Sequence, residues 1–180
     1  HFTGHGKVLD NEPFPEYDSR NINNPWVVFD GTTYHLYYLA YPGHQSGPPD
    51  RSYHSTIAYA TSSDGIHWKK YGVVIDAGSN VSYPIVVFDG SIFEMFYNLQ
   101  EEPGKEHVEY AVSHDGLNWD RIGKVSSIDG IIVGLAKENG VYRAWYRKKN
   151  DKGEWELWYT TTGGENAVVF EDDFSELNPD

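Results

Sequence analysis

Asn24-Pro-Trp-Val-Val-Phe-Asp-Gly-Thr-Thr-Tyr-His-Leu-Tyr-Tyr-Leu-Ala-Tyr41 and Tyr83-Pro-Ile-Val-Val-Phe-Asp-Gly-Ser-Ile-Phe-Glu-Met-Phe-Tyr-Asn-Leu-Gln100 are two versions of one stretch. In the first copy, β-branched and aromatic residues predict strands over Trp26 to Phe29 and Tyr34 to Tyr41, because such side chains fit a pleated backbone. Asp30-Gly31 between them is a strong hairpin signal, and Asp89-Gly90 repeats it. A repeat this close decides how the rest of the chain reads.

A second motif recurs in the same order. Tyr59-Ala-Thr-Ser-Ser-Asp-Gly-Ile-His-Trp68 answers to Tyr110-Ala-Val-Ser-His-Asp-Gly-Leu-Asn-Trp119. Around these, strands are expected over Thr56 to Ser62 and Trp68 to Ile75, then over Ile85 to Phe88, Ile92 to Leu99, His107 to Ser113 and Trp119 to Val125. A weaker third unit has strands over Ile131 to Ala136, Val141 to Lys148 and Glu154 to Thr161, with its hairpin at Asn139-Gly140 and a fourth strand over Ala167 to Phe170. Lys7-Val8-Leu9-Asp10 resembles Val73 to Asp76 and is expected to supply the outer edge strand of a neighbouring blade. The tail from Glu171 is acidic and expected to fray.

Units of about 50 residues with four short antiparallel strands are the signature of propeller blades. The predicted fold is therefore all-β, a propeller-type array of three four-stranded antiparallel blades forming a single domain over residues 1–180. Blade 1 covers about 16–76, blade 2 about 77–126 and blade 3 about 127–172. A blade cannot bury both faces of its sheet alone, so blades lean on one another around an axis. Three do not close a ring. Either the chain pairs with a second copy, which is the expectation adopted, or the blades form an open arc, or they belong to a longer protein.

Composition narrows the partners. A formal charge of −13 argues against nucleic acid and against an anionic membrane surface. No apolar run approaches the ~20 residues of a spanning helix. The absence of cysteine rules out disulfides, a thiolate nucleophile and a Cys-based metal site. No cofactor or metal is expected. Cytoplasm, periplasm and secretion fit equally well, and no signal peptide is visible.

The chain resembles the glycoside hydrolase β-propellers of families 43, 32, 62, 68 and 130. Asn24-Pro-Trp-Val-Val-Phe-Asp-Gly31 with its Tyr-rich partner, and the Tyr59 to Trp68 motif, carry the likeness. In that group, the resemblance implies, five blades close around an axial pocket in which two carboxylates flank the glycosidic bond. The group's first acid stands directly before the Pro of this hairpin, where this chain has Asn24. Its second stands before the equivalent Pro, where this chain has Tyr83. The third unit offers Val133 there. None of the three is a carboxylate.

The candidate site residues follow. Asn24 and Tyr83 are candidates to hydrogen-bond a sugar; the alternative is that they cap and pack. Asp18 is the remaining candidate acid or base, with Arg20 as its charge partner and Asn23 beside it at the same mouth. His54 is a second catalytic candidate and Arg51 a ligand contact, both on the long loop Pro42 to Ser55, which also carries His44 and Asp50. Asp64, Asp115, Trp68 and Trp119, in turns that resemble sialidase Asp-boxes, read as structural, as do Asp30 and Asp89. Glu94, Glu109, Arg143 and Arg147 read as surface charges, or as the missing acid if Glu94 or Glu109 faces a cavity.

Three functions remain open. The first is a glycoside-hydrolase-like protein binding or processing a carbohydrate in an axial pocket. The second is a lyase, isomerase or cyclase of small-molecule metabolism on the same scaffold. The third is a non-catalytic binding or assembly module.

Overall fold

The computed structural model describes residues 3–13, 16–42 and 54–162. Among these residues all regular structure is β-strand, arranged as three antiparallel sheets. The first sheet holds β1 (Asn21–Phe29), β2 (Tyr34–Tyr41), β3 (Thr56–Ser62) and β4 (Lys69–Ile75) in sequential order. The second holds β5 (Asn80–Phe88), β6 (Phe93–Glu102), β7 (Lys105–Ser113) and β8 (Asp120–Lys124), again in order. The third holds β9 (Ile131–Glu138), β10 (Val141–Lys149) and β11 (Trp155–Thr161). This is a truncated, propeller-like array in which each sheet is one blade. The strand expected over Ala167 to Phe170 lies outside the described residues.

Turn chemistry sets the hairpins. Asp30 Oδ1 accepts the amides of Thr32 and Thr33 at 2.8 and 2.7 Å, and Asp89 Oδ1 accepts those of Ser91 and Ile92 at 3.0 and 3.1 Å. Gly31 and Gly90 supply the positive φ that closes both loops. The third blade turns in two residues, with Asn139 and Gly140 both at positive φ, as a mirror-image hairpin turn requires. The two Ser-x-Asp-Gly turns are equally alike. Asp64 Oδ1 accepts the amides of Ile66 and His67, and Asp115 Oδ1 those of Leu117 and Asn118. The His67 ring at Asp64, and the Asn118 amide and side chain at Asp115, lead the hydrogen bonds that hold both carboxyls well below the usual range.

Because strands alternate, each blade presents two faces, and blade 2 packs against a neighbouring blade on both. Tyr37, Leu39, Ile57 and Tyr59 of blade 1 meet Val81, Phe93, Met95 and Tyr97 of blade 2. From the other face of blade 2, Ile85, Phe96, Val108 and Tyr110 meet Ile132, Leu135, Ala144 and Tyr146 of blade 3. Each such side chain contributes roughly 1.5–3 kcal/mol relative to exposure. Strands β1, β5 and β9 are the inner edges, and β5 packs beside both of the others. Trp26 Nε1 donates across this seam to the Val86 carbonyl at 2.7 Å. Buried Asn98 bridges the next seam, accepting the Ile132 amide at 2.8 Å and donating to the Ile132 and Ser82 carbonyls.

The outer face of blade 1 departs from expectation. Residues 7–10 form no strand; the segment crosses that face as irregular chain and packs Leu9 with Tyr17 and Trp68 against Leu36 and Tyr38. The edge of β4 takes no partner from it because the segment lies over the sheet rather than beside it. Asp18 is fully buried beneath this segment, and its cation is Lys70 at 2.6 Å. Arg20, the partner expected from the sequence, is exposed. Lys70 reaches Asp18 because β4 points it at the same outer face as Tyr38, whose hydroxyl donates to Asp18 Oδ2 at 3.3 Å.

Candidate functional site

The two stretches that define the repeat share a backbone irregularity. In β1 the pairing jumps from Asn23↔Leu39 to Trp26↔Tyr37, and in β5 from Ser82↔Asn98 to Ile85↔Phe96. Asn24-Pro25 and Tyr83-Pro84 are thus bulged out at equivalent places. Asn24 has φ +46° and Tyr83 φ +49°. A residue before proline is ordinarily extended, and a non-glycine residue at positive φ costs roughly 1–2 kcal/mol. That Asn24 and Tyr83 both take this conformation makes it a property of the blade. In β9 the pairing jumps from Gly134 to Ile132, leaving Val133 as the bulged residue. The bulges begin at the fourth residue of β1 and of β5 and fall at the third of β9, so they stand at corresponding levels of the three inner strands. Bulges at such positions re-aim side chains, and strained backbone collects at functional sites.

Asn23 closes the regular pairing just before the first bulge and is exposed, while Asn24 is half-buried. Tyr83 reaches blade 3. Its hydroxyl accepts from Arg147 Nη2 at 3.4 Å, and the guanidinium lies 5.7 Å from its ring centre. On the other side Arg147 lies 4.7 Å from the ring of Trp155. Arg147 opens into a cleft of about 330 Å³ with Glu106, Asp129, Lys148, Lys149 and Trp155 on its walls. The sequence places Arg147 among surface charges; in the structure it is half-buried and turned across the start of β9 toward blade 2. The signal available in the sequence was the run Arg147-Lys148-Lys149 in a chain of charge −13.

A second cleft of about 530 Å³ lies at the opposite end, between Trp26, Val28, Val86, Phe88 and the β9–β10 turn. Its charged groups are spoken for. Lys137 Nζ donates to Asp89 at 3.0 Å and to Glu94 at 2.5 Å.

Glu94 and Glu109 are not surface groups. Glu94 is 2% exposed and lies in the seam between blades 2 and 3, where the Tyr110 hydroxyl (2.8 Å) and the Tyr142 hydroxyl both donate to it. Burial and the Glu94 charge push the Tyr110 hydroxyl far above its ordinary pKa. Glu109 is 7% exposed, pairs with His107 at 2.8 Å, and faces Arg121 at 3.6 Å. Both are buried because a neighbouring blade covers the face on which they stand. His54 pairs through Nε2 with Asp76 at 2.6 Å, and Asp76 also accepts the Gly78 amide, which with His54 lowers its pKa. Arg51 lies outside the described residues. The structure therefore brings Asn23, Asn24 and Tyr83 to corresponding levels of adjacent inner strands, while Asp18 sits under the outer face of blade 1.

The fold matches that of solved glycoside hydrolases. A mannoside phosphorylase-family glycoside hydrolase (family 130), described as targeting β-1,2-mannosidic linkages in Candida mannan, superposes with a TM-score of 0.62 at 16% identity, over 90% of this chain and 57% of its own. A glycosyl hydrolase from Bacteroides ovatus gives 0.59 at 17% identity, over 85% and 52%. The family 32 β-fructofuranosidase of Bombyx mori gives 0.63 at 16% identity, over 87% and 36%. No family model matches the sequence. Two uncharacterised proteins from strains of Mycobacterium tuberculosis are each 36% identical over 119 residues, 63% of this chain and 38% of theirs. The chain thus spans well under half the length of these relatives. The fold is that of the glycoside hydrolase β-propellers.

Proposed function

We propose that this chain forms the sugar-binding wall of a glycoside-hydrolase-like propeller, with carbohydrate held at the level of the inner-strand bulges. The observation that carries the reading is the pair of strained bulges at Asn24 and Tyr83 on adjacent inner strands. Two neutral polar side chains are presented there at the cost of unfavourable backbone. With Asn24, Tyr83 and Val133 at the bulges, no bulge position supplies the carboxylate pair that hydrolysis needs, so the blades bind sugar without cleaving it through these positions. Asp18, enclosed by Lys70, Tyr38 and the Glu12 amide, anchors the N-terminal segment. Arg20 and Asn23 flank the mouth, and the exposed face of blade 3 supports association with a second copy.

Calorimetric titration with neutral oligosaccharides, alongside an aryl-glycoside assay, tests this. Binding without turnover is expected, with Asn24→Ala and Tyr83→Ala each weakening affinity about tenfold, the loss of one or two polar contacts. Turnover abolished by Asp18→Asn, or binding indifferent to both bulge variants, would sink it. The His54–Asp76 pair favours a second reading, proton transfer in a lyase or isomerase, in which His54 is base and Asp76 orients it. That reading requires a small-molecule activity lost in His54→Gln and retained in Asn24→Ala.

A further inference from the structure

We propose that the cleft beside Tyr83 selects an acidic sugar residue, whose carboxylate is received by Arg147. The proposal rests on the carbohydrate reading above and names the class of ligand.

Arg147 is held as a receptor would be. Its guanidinium lies between the Tyr83 ring at 5.7 Å and the Trp155 ring at 4.7 Å. A guanidinium set against aromatic rings keeps its N–H groups, which lie in its own plane, for hydrogen bonds. Nη2 makes one long bond of 3.4 Å to Tyr83, and Nε is hidden from solvent with no hydrogen-bond partner among the described residues. With Nε enclosed, the terminal amino groups of the fork are the donors left to a ligand, and a planar carboxylate is the group that takes two guanidinium donors at once.

The surroundings agree. Lys148 and Lys149 stand on the same wall, in a protein that carries a formal charge of −13. The wall also carries Glu106 and Asp129. Glu106 accepts from Gln100 at 2.6 Å, and Asp129 is 3.8 Å from Lys148 with 94% of its side chain exposed. Neither carboxylate is paired with Arg147 in these contacts, so the fork is left for a ligand. The floor is Gly130, where a Cβ would lie 2.5 Å from the Arg147 carbonyl oxygen. A larger residue there would push β10 away and open the cleft. A volume of about 330 Å³ suits a single sugar ring, and Lys149 Nζ, 5.2 Å from the centre of the Trp155 ring, adds a second cation to the Arg147 wall.

The test is calorimetric titration of the whole chain with trigalacturonate, with the fully methyl-esterified trisaccharide as a neutral match, and with inorganic phosphate at equal ionic strength. Trigalacturonate is expected to bind about tenfold tighter than its ester, a margin that shrinks with added salt, since the difference is a charge. Arg147→Gln should bring the two ligands to equal affinity. Lys149→Gln, on the exposed rim, should narrow the margin about twofold, and it serves as the variant of record if Arg147→Gln loses its fold by circular dichroism. Equal binding of acid and ester by the unaltered protein overturns this proposal and leaves carbohydrate binding standing. Phosphate that displaces trigalacturonate at equal concentration overturns the carboxylate assignment. Failure of every sugar to bind defeats the function proposed above, and this inference with it.

Discussion

Gly65 and Gly116 show how one residue can carry different loads at equivalent places. Both sit in the Ser-x-Asp-Gly turn with φ +74°, a conformation that strains any side chain. A Cβ on Gly65 meets nothing closer than Tyr34 at 3.9 Å. On Gly116 it would lie 2.7 Å from the Tyr37 hydroxyl and 3.2 Å from His35 Nδ1, because the turn of blade 2 is seated on blade 1, with Tyr37 donating to the Gly116 carbonyl at 2.9 Å. Gly65→Ala is expected to cost about 1 kcal/mol, and Gly116→Ala about 2–4 kcal/mol once overpacking is added. Urea denaturation of the two variants decides it, and equal costs would mean that the turn is not seated as described.

At the scale of elements, the polar contacts that hold the segment over the outer face of blade 1 converge on Asp18 and Lys70. Asp18 has no exposed side-chain surface and Lys70 has 13%. Removing one member of such a pair leaves a buried charge alone, which costs roughly 3 kcal/mol, whereas replacing both with apolar or neutral groups costs much less. Asp18→Asn should therefore lower the urea midpoint sharply, with Asp18→Asn/Lys70→Met recovering most of the loss, and sugar affinity should be unchanged in both. A variant of ordinary stability that has lost its ligand would return Asp18 to the binding site.

The whole molecule has two pH limits. Asp30, Asp64, Asp89 and Asp115 have lowered pKa values; hydrogen bonds hold all four there, at Asp30 and Asp89 in the face of partial burial. A carboxyl depressed on folding adds stability above its unfolded value, about 4, and loses it as pH falls further. Tyr37, Tyr59 and Tyr110 are raised by burial, and Tyr97 is pushed up to about 12. A group raised on folding contributes below its unfolded value, about 10 for tyrosine, and stops contributing as pH climbs past it. A stability plateau between about pH 4 and 10 is expected, with tyrosinate absorbance appearing together with loss of β-sheet circular dichroism. Buried tyrosines that ionise at their ordinary value while the sheet signal persists would contradict the seams as drawn. Association is testable in the same samples. Trp145, Leu157 and Tyr159 share one exposed face of blade 3, with Leu157 70% exposed, so sedimentation should report a dimer that Leu157→Asp converts to monomer. A stable monomer at all concentrations would end the idea of a second copy.

The repeat, its hairpin turns and the strands of the first two blades are written locally in Asn24–Tyr41, Tyr83–Gln100 and the two Ser-x-Asp-Gly motifs, and those of the third around Asn139-Gly140. Strand propensity and turn geometry depend on neighbours in the chain, so a reader of residues can follow them. Which face meets which blade is not local. Alternation distinguishes two faces of a strand, but both faces of blade 2 are covered by neighbouring blades, so the pattern does not mark Glu94 and Glu109 as buried. The partners of Asp18 and of Tyr83 are likewise long-range, 52 residues away at Lys70 and 64 at Arg147. Such pairings depend on how sheets lean together, and only the tertiary structure decided that Lys70 rather than Arg20 neutralises Asp18, and that Arg147 turns inward to reach the bulged Tyr83.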